Sequence, residues 1–220
     1  MCGIAGIFWS NTQDQKVTVN QMVEYTRYRG PDGVGLAELG IGVVGHSRLS
    51  IIDLSDEASQ PMYSTDGRYC IVFNGEIYNF VELREELIEL GFRFKTNSDT
   101  EVLLNWLIAR GKKGLRKLVG MFAGCFVDIK QRTVMLFRDN FGQKPLHYKI
   151  YPDGSIVFAS EVKSILCFEG KKASPNLIAI SNYLVHTQSD VDHQTFFAEI
   201  EQLEPGELML SDGPKKFKKE

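Results

Sequence analysis

The second residue of the chain has the clearest chemical use. Cys2 directly follows the initiator methionine, which is removed efficiently when the next side chain is small, so Cys2 can become a true N-terminal residue with thiol and free α-amine on one carbon. That pair is a compact nucleophile and general base, because an α-amine with an unperturbed pKa of roughly 7.7–8.0 is partly neutral near pH 7. No histidine is needed. Gly3 and Gly6 leave room beside this end for a substrate or another backbone, and Ile4, Ile7 and Phe8 predict a buried strand that holds it still. The plain alternative is a second residue of no consequence, and the rest of the chain decides between the two.

Other residues able to do chemistry come in short clusters. They are Arg29-Gly30-Pro31-Asp32-Gly33, His46-Ser47-Arg48-Leu49-Ser50, Asn74-Gly75-Glu76-Ile77-Tyr78-Asn79, Ser98-Asp99-Thr100-Glu101 and Arg138-Asp139-x-x-Gly142-x-Lys144-Pro145-Leu146. Each has a plainer use as well. Asn-Gly is a hairpin tip, Asp99 or Ser98 a helix cap, and Arg48 half of a surface ion pair.

The elements that must position these clusters are readable from periodicity. Asn11 to Gln15 reads as a polar turn, and Thr18 caps a short helix to about Arg27, stopped by the Arg29–Gly33 turn. Residues 41–46 form a glycine-punctuated strand, and Tyr69 to Phe73 a strand that ends in Asn74-Gly75 and passes to a helix over Val81–Leu90, with Gly91 beyond its end. Phe92 to Phe94 is a short strand. The next helix starts at Ser98 or Asp99 with Val102, Leu103, Trp106 and Leu107 as its core stripe. Strands follow at 120–128, 133–139, 145–150 and 156–160, then helices from Ser160-Glu161 and over Asn176–Val185, and strands at Phe196–Ile200 and Glu207–Leu210. This is a layered α+β pattern with helices over sheets.

With 220 residues the chain buries a substantial core, and 25 basic against 28 acidic residues give a net charge of −3, which favours neither nucleic acid nor an anionic membrane. The longest apolar runs are strand-sized, short of the ~20 residues of a membrane helix, and the N-terminus has no basic segment followed by an apolar one. The reading is a soluble cytoplasmic protein. Cys2, Cys70, Cys125 and Cys167 are widely separated, without Cys-x-x-Cys or zinc-spaced histidines, so neither a disulfide framework nor a metal site is expected. Cys70 and Cys125 sit in apolar runs as small buried hydrophobes.

Taken in order and spacing, the clusters resemble the class II glutamine amidotransferases, specifically the glutaminase half of glutamine-hydrolysing asparagine synthetases, over residues 1–210. The resemblance implies an Ntn-hydrolase fold, a four-layer αββα sandwich whose nucleophile begins a central strand. It implies that Cys2 attacks the glutamine carboxamide through a thioester, with the Asn74 amide and Gly75 N–H as oxyanion hole. It places the substrate's carboxylate on Arg48, beside Leu49 and Ile51, and its ammonium on Asp99 and Glu76. Arg29–Gly33, Gln60-Pro61 and Arg138–Leu146 are read as segments that shape the pocket, and Glu161 with Lys163 as a salt-bridged helix start.

The partners so implied are glutamine and a C-terminal synthetase domain or subunit that accepts ammonia, with room for a homodimer. No cofactor is expected in this chain. ATP and Mg belong to the missing synthetase domain, whose Ser-Gly-Gly-x-Asp-Ser phosphate loop is absent from this sequence. Residues 211–220 read as a charged tail or the truncation point before that domain. Two departures from the family pattern, Gly124-Cys125 and His147, bear on packing near an ammonia exit and not on the matched catalytic positions. Alternatives are the glutaminase domain of another class II amidotransferase, serving an aminosugar or phosphoribosylamine pathway, and a glutamine-binding module without turnover.

Overall fold

A computed structural model of the chain describes residues 1–11, 13–169, 174–188 and 192–220. In chain order the main elements are β1 (Gly3–Phe8), α1 (Gln15–Glu24), β2 (Gly33–Glu38), β3 (Gly42–Arg48), β4 (Met62–Tyr63), β5 (Tyr69–Ile77), α2 (Phe80–Glu89), α3 (Asp99–Arg110), β6 (Gly120–Asp128), β7 (Thr133–Arg138), β8 (His147–Ile150), β9 (Ile156–Ala159), α4 (Val162–Glu169), α5 (Leu177–His186), β10 (Glu201–Gln202), β11 (Leu208–Ser211) and β12 (Phe217–Lys219). They build two six-stranded antiparallel sheets. The first has the order β10-β8-β9-β1-β3-β2 and the second β12-β11-β7-β6-β5-β4.

The central strands, such as β1, β3 and β9, are buried on both faces, which is why they read as continuous apolar runs. In β1, Ile4 and Phe8 point to the space between the sheets, where they meet Val72, Ala123 and Cys125 of the other sheet. Ala5 and Ile7 point the other way, to Val19, Met22 and Val23 of α1 and Ile165 of α4. The second sheet repeats the arrangement, with Ile71, Phe73 and Ile77 covered by Leu83 and Leu87 of α2 and by Val102, Leu103 and Trp106 of α3. The layers are therefore αββα, as the family resemblance implied.

Local chemistry fixes the helix starts that matter. Ser98 accepts the Glu101 N–H at 3.2 Å and begins α3, and Asn176 accepts the Ala179 N–H at 3.2 Å and begins α5. The Gly91 residue after α2 takes a left-handed φ of 90°, where a side chain would be strained. Among the described residues no helix is long and apolar enough to cross a membrane.

Several sequence expectations change. The first helix begins three residues before Thr18, at Gln15, and Thr12 of the expected polar turn lies outside the described residues. β2 was not foreseen, because Gly33-Val34-Gly35-Leu36-Ala37-Glu38 has two glycines and weak alternation. Strand β5 does not stop at Phe73 but runs through Asn74-Gly75-Glu76 to Ile77, since β6 pairs with it along its whole length. Phe92–Phe94 is not a strand: Phe92 and Phe94 pack on the α2–α3 core, and Arg84 lies over the Phe94 ring at 4.4 Å. Phe196–Ile200 contributes only a bridge from Phe197 to Pro175. The charged end is an edge strand and not a solvated tail, with Phe217 opposite Ser211 and its ring 5.8 Å from that of Trp9.

Candidate active site

β1 lies in the middle of its sheet, paired with β3 on one side and β9 on the other, so the residue that precedes it is held at a fixed end of the sandwich. Alternation sends the Cys2, Ile4 and Phe8 side chains to the face that meets the second sheet. His46 and Arg48 of β3 share that face, and Asn74 and Glu76 of β5 approach from the other sheet. With Leu49, Ile51, Gln60, Asp99, Met121 and Lys144 they line one pocket of about 130 Å³. Every proposed site residue is in it: Cys2, Arg48, Leu49, Ile51, Asn74, Gly75, Glu76 and Asp99.

The thiol is held by backbone. Leu49 N–H donates to Cys2 Sγ at 3.3 Å, and the thiol faces the Leu49 carbonyl at 3.6 Å. Arg29 Nε donates to the Cys2 carbonyl at 3.0 Å, and its Nη1 is paired with Glu161 at 2.8 Å. The Arg29 turn and the Ser-Glu-x-Lys segment thus act together, pinning the backbone of Cys2. Lys163 also reaches Glu161, at 3.2 Å. Burial pushes the Cys2 thiol above its ordinary pKa, opposed by the Leu49 N–H, the terminal amine and Arg48. A thiol so placed needs a base beside it.

Gly3 and Gly6 do not keep space for substrate. A Cβ on Gly3 would meet Thr26 Oγ1 at 2.4 Å and Ser47 Oγ at 2.6 Å, and one on Gly6 would meet the Phe158 ring at 2.4 Å. The space they leave is filled by the protein's own side chains, which is a packing role.

On β5 the alternation of backbone groups is informative. The Phe73 N–H is accepted by Gln60 Oε1 at 2.6 Å and the Ile77 N–H by Asp99 Oδ2 at 2.9 Å, both on the edge turned away from β6. Gly75 lies between them, and the same alternation turns its N–H to that edge and toward the pocket. The Asn74 side chain, 1% exposed, has no hydrogen-bond partner at Oδ1 or Nδ2 among the described residues. Two donors are thus presented beside a thiol without a protein acceptor for the amide, which is what an oxyanion site requires.

Arg48 ends β3 and is oriented by Ser59 Oγ at 3.1 Å and the Asp53 carbonyl at 2.7 Å. Asp53 in turn accepts N–H groups of Ser55 at 2.9 Å and Asn97 at 2.8 Å, tying the loop after β3 to the start of α3. Asp99 is buried at the first turn of α3, and burial lifts its carboxyl to about 6 against the hydrogen bonds from Ile77 and Thr100. Glu76 adds to that rise, so the two carboxylates form a concentrated negative site suited to an ammonium group. Arg48 from β3, with Glu76 from β5 and Asp99 from α3, gives this pocket groups of the charge needed at the two ends of an α-amino acid.

Three lining residues were quoted in the sequence motifs or loops without a chemical role. Gln60 is buried and joins β5 to α3, donating to Thr100 Oγ1 at 3.3 Å. His46 is buried, with neither ring nitrogen in a well-formed hydrogen bond, and burial lowers its pKa to about 3, so it is a neutral imidazole in the pocket wall. Lys144 is the third. Their signal was membership of a motif; what hid them was that only the tertiary fold turns them inward. Among the described residues no group of three or more His, Cys, Asp or Glu could hold a metal ion.

Residues 1–219 match the family of the glutamine amidotransferase domain. The chain belongs to that family. Among curated relatives of this amidotransferase domain, asparagine synthetase [glutamine-hydrolyzing] 1 of Bacillus subtilis is 37% identical over 99% of this chain and 35% of its own length. A putative asparagine synthetase [glutamine-hydrolyzing] 2 of Methanocaldococcus jannaschii is 36% identical over 83% of this chain and 39% of its own. The amidotransferase domain therefore spans a little over a third of the length of these relatives. Among solved structures, the glutamine phosphoribosylpyrophosphate amidotransferase of Bacillus subtilis overlays all of this chain and 49% of its own, with a TM-score of 0.73 at 21% identity. That likeness is one of fold, and it is the Ntn-hydrolase sandwich.

Proposed function

We propose that this amidotransferase domain hydrolyses glutamine to glutamate and ammonia through a thioester on Cys2, and that the ammonia serves an asparagine-synthetase-type amidation. One observation carries the reading: the half-buried thiol at the head of a central strand shares a pocket with an Asn74 carboxamide that has no protein partner among the described residues. The Cys2 α-amine, freed by removal of Met1, takes the thiol proton as sulfur attacks the glutamine Cδ, and the carbonyl electrons move onto oxygen between Asn74 and Gly75. Collapse of that oxyanion breaks the C–N bond, and the amine returns the proton to the departing nitrogen as ammonia. Water then attacks the thioester, losing a proton to the same amine, and the C–S bond breaks to give glutamate and the thiol.

Arg48 and the Asp99–Glu76 pair hold the amino-acid head, and Leu49 and Ile51 border it. The acceptor of the ammonia is the remaining part of an asparagine-synthetase-like protein, as a fused domain or a subunit, and ATP with Mg is used there. The support is the pair of relatives named asparagine synthetase, in which the matched region is 35% and 39% of the length. Met1 is 54% exposed and so open to removal. With it in place the Cys2 nitrogen is a non-basic amide.

The test is glutamate release from glutamine, measured against the fraction of chains whose N-terminus is Cys2 by mass spectrometry. Release should rise with that fraction and vanish in Cys2→Ala, while Cys70→Ala and Cys125→Ala keep it. Burial holds the Cys70 thiol at about 12 and the Cys125 thiol well above its ordinary range, so neither ionises near neutrality. Glutamine binding without turnover in the processed wild type would instead identify a binding module, and turnover by a preparation that fully retains Met1 would reject the N-terminal mechanism.

A further inference from the structure

The 138–146 run is a motif to which the proposed reaction gives no chemical role. Asp139, wholly buried, accepts four backbone N–H groups, from Phe141 and Gln143 at 3.0 Å on Oδ1 and from Phe122 at 3.0 Å and Lys144 at 3.1 Å on Oδ2. Arg138 closes the loop from outside, donating to the Lys144 carbonyl at 2.9 Å and the Gly142 carbonyl at 2.7 Å. A loop clamped from both sides is a rigid mount, and what it carries into the pocket is Lys144. That side chain is 6% exposed and lines the same cavity as Cys2, Asn74, Glu76 and Asp99. Among the described residues its ammonium makes no ion pair or hydrogen bond. An unpaired buried cation is costly, and its field acts strongly on whatever titrates beside it.

We propose that Lys144 is a positioning residue for the nucleophile, its fixed positive charge keeping the Cys2 α-amine in the free-base form at neutral pH and favouring the thiolate next to it. The inference rests on the reading that the Cys2 amine is the catalytic base. A cation beside an amine disfavours protonation of that amine and lowers its pKa, and beside a thiol it favours ionisation, so both effects widen the range over which the pair is ready to react.

The charged groups around this point come from every neighbouring element. Arg29 follows α1 but is neutralised by Glu161, Arg48 ends β3, Glu76 is on β5 and Asp99 opens α3. The terminal amine of Met1 is already held below its ordinary value, by burial first and then by Arg29 and Lys144, against the Cys2 thiol and Glu76. Lys144 is the cation in this set that is neither paired with a carboxylate nor committed to the loop after β3.

The test uses protein with Met1 removed and compares wild type, Lys144→Met and Lys144→Arg. Two profiles are recorded across pH: kcat/KM for glutamine, and the rate of Cys2 alkylation by iodoacetamide, read on the Cys2 peptide so that the other thiols do not contribute. In Lys144→Met the acid limb of both should move upward by roughly one pH unit, making alkylation about tenfold slower near pH 6.5. Lys144→Arg should stay with the wild type, because it keeps the charge. An unshifted limb in a folded Lys144→Met protein overturns the proposal, and so does an equal shift in both variants, which would make the side chain's shape decisive. If Lys144→Met does not fold, Lys144→Gln is read by the same criteria. Absence of glutamate release from the wild type would reject the glutaminase reading, while the alkylation profiles would still decide the role of Lys144.

Discussion

In the proposed mechanism Arg48 and Asn74 meet the same substrate at different moments, and their removal should be felt in different constants. The Arg48 contact is with a carboxylate that does not change during the reaction, so Arg48→Ala should mainly raise KM for glutamine. Asn74 faces the oxygen that becomes negative, so Asn74→Ala should mainly lower kcat, by ~10²–10³ for one lost donor. Steady-state kinetics on the two variants separates these roles, and a fall in kcat at unchanged KM in Arg48→Ala would count against the assignment. Asp99 adds a dependence on pH. Its carboxyl is lifted to about 6, so it is charged above that pH and neutral below. Affinity for the substrate's ammonium should therefore be present at neutral pH and fall as pH drops through about 6. Calorimetric titration of glutamine into the Cys2→Ala protein isolates this step from catalysis, and Asp99→Asn should bind weakly with no such dependence.

At the scale of the element, β5 does two jobs that a hairpin tip could not. Its inner edge pairs with β6 over nine residues, and its outer edge hands successive N–H groups to Gln60, the pocket and Asp99. The pairing explains why position 75 is glycine: a Cβ there would sit 2.2 Å from the Met121 carbonyl and 2.6 Å from Phe122 Cα. Gly75→Ala must push β5 from β6 at the very place where the proposed oxyanion donors are presented. It should cost about 1–3 kcal/mol of stability by urea unfolding and reduce kcat by at least as much as Asn74→Ala. Loss of stability with kcat retained would mean that the strand absorbs the methyl group without moving the donors.

For the whole molecule, the site depends on two sheets keeping their spacing, since Cys2, His46 and Arg48 come from one and Asn74 and Glu76 from the other. The layer between them is held by residues such as Phe158, fully buried and stacked on Phe8 with ring centroids 6.1 Å apart. Phe158→Ala should destabilise the domain by roughly 3–5 kcal/mol. Calorimetry would show this as a lower Tm, and a change much below that range would mean that the layer collapses to fill the gap.

The sequence by itself determined the family and most of the elements. A cysteine placed to become N-terminal, the order of the motifs, a cap at Ser98 or Asp99, and the strand block from 120 to 160 were all legible, because capping, turn chemistry and apolar runs are local properties. What only the tertiary structure decided was what those pieces face. Asn74-Gly75 is a hairpin signal locally, yet β6 lies alongside and draws it into a strand. Gly3 and Gly6 look like space for a ligand, yet Thr26, Ser47 and Phe158 fill it. Lys144 is an ordinary motif lysine until Asp139 gathers four N–H groups and turns the loop inward. Each of these depends on contacts between residues far apart in the chain, whose pairing energy no local pattern encodes.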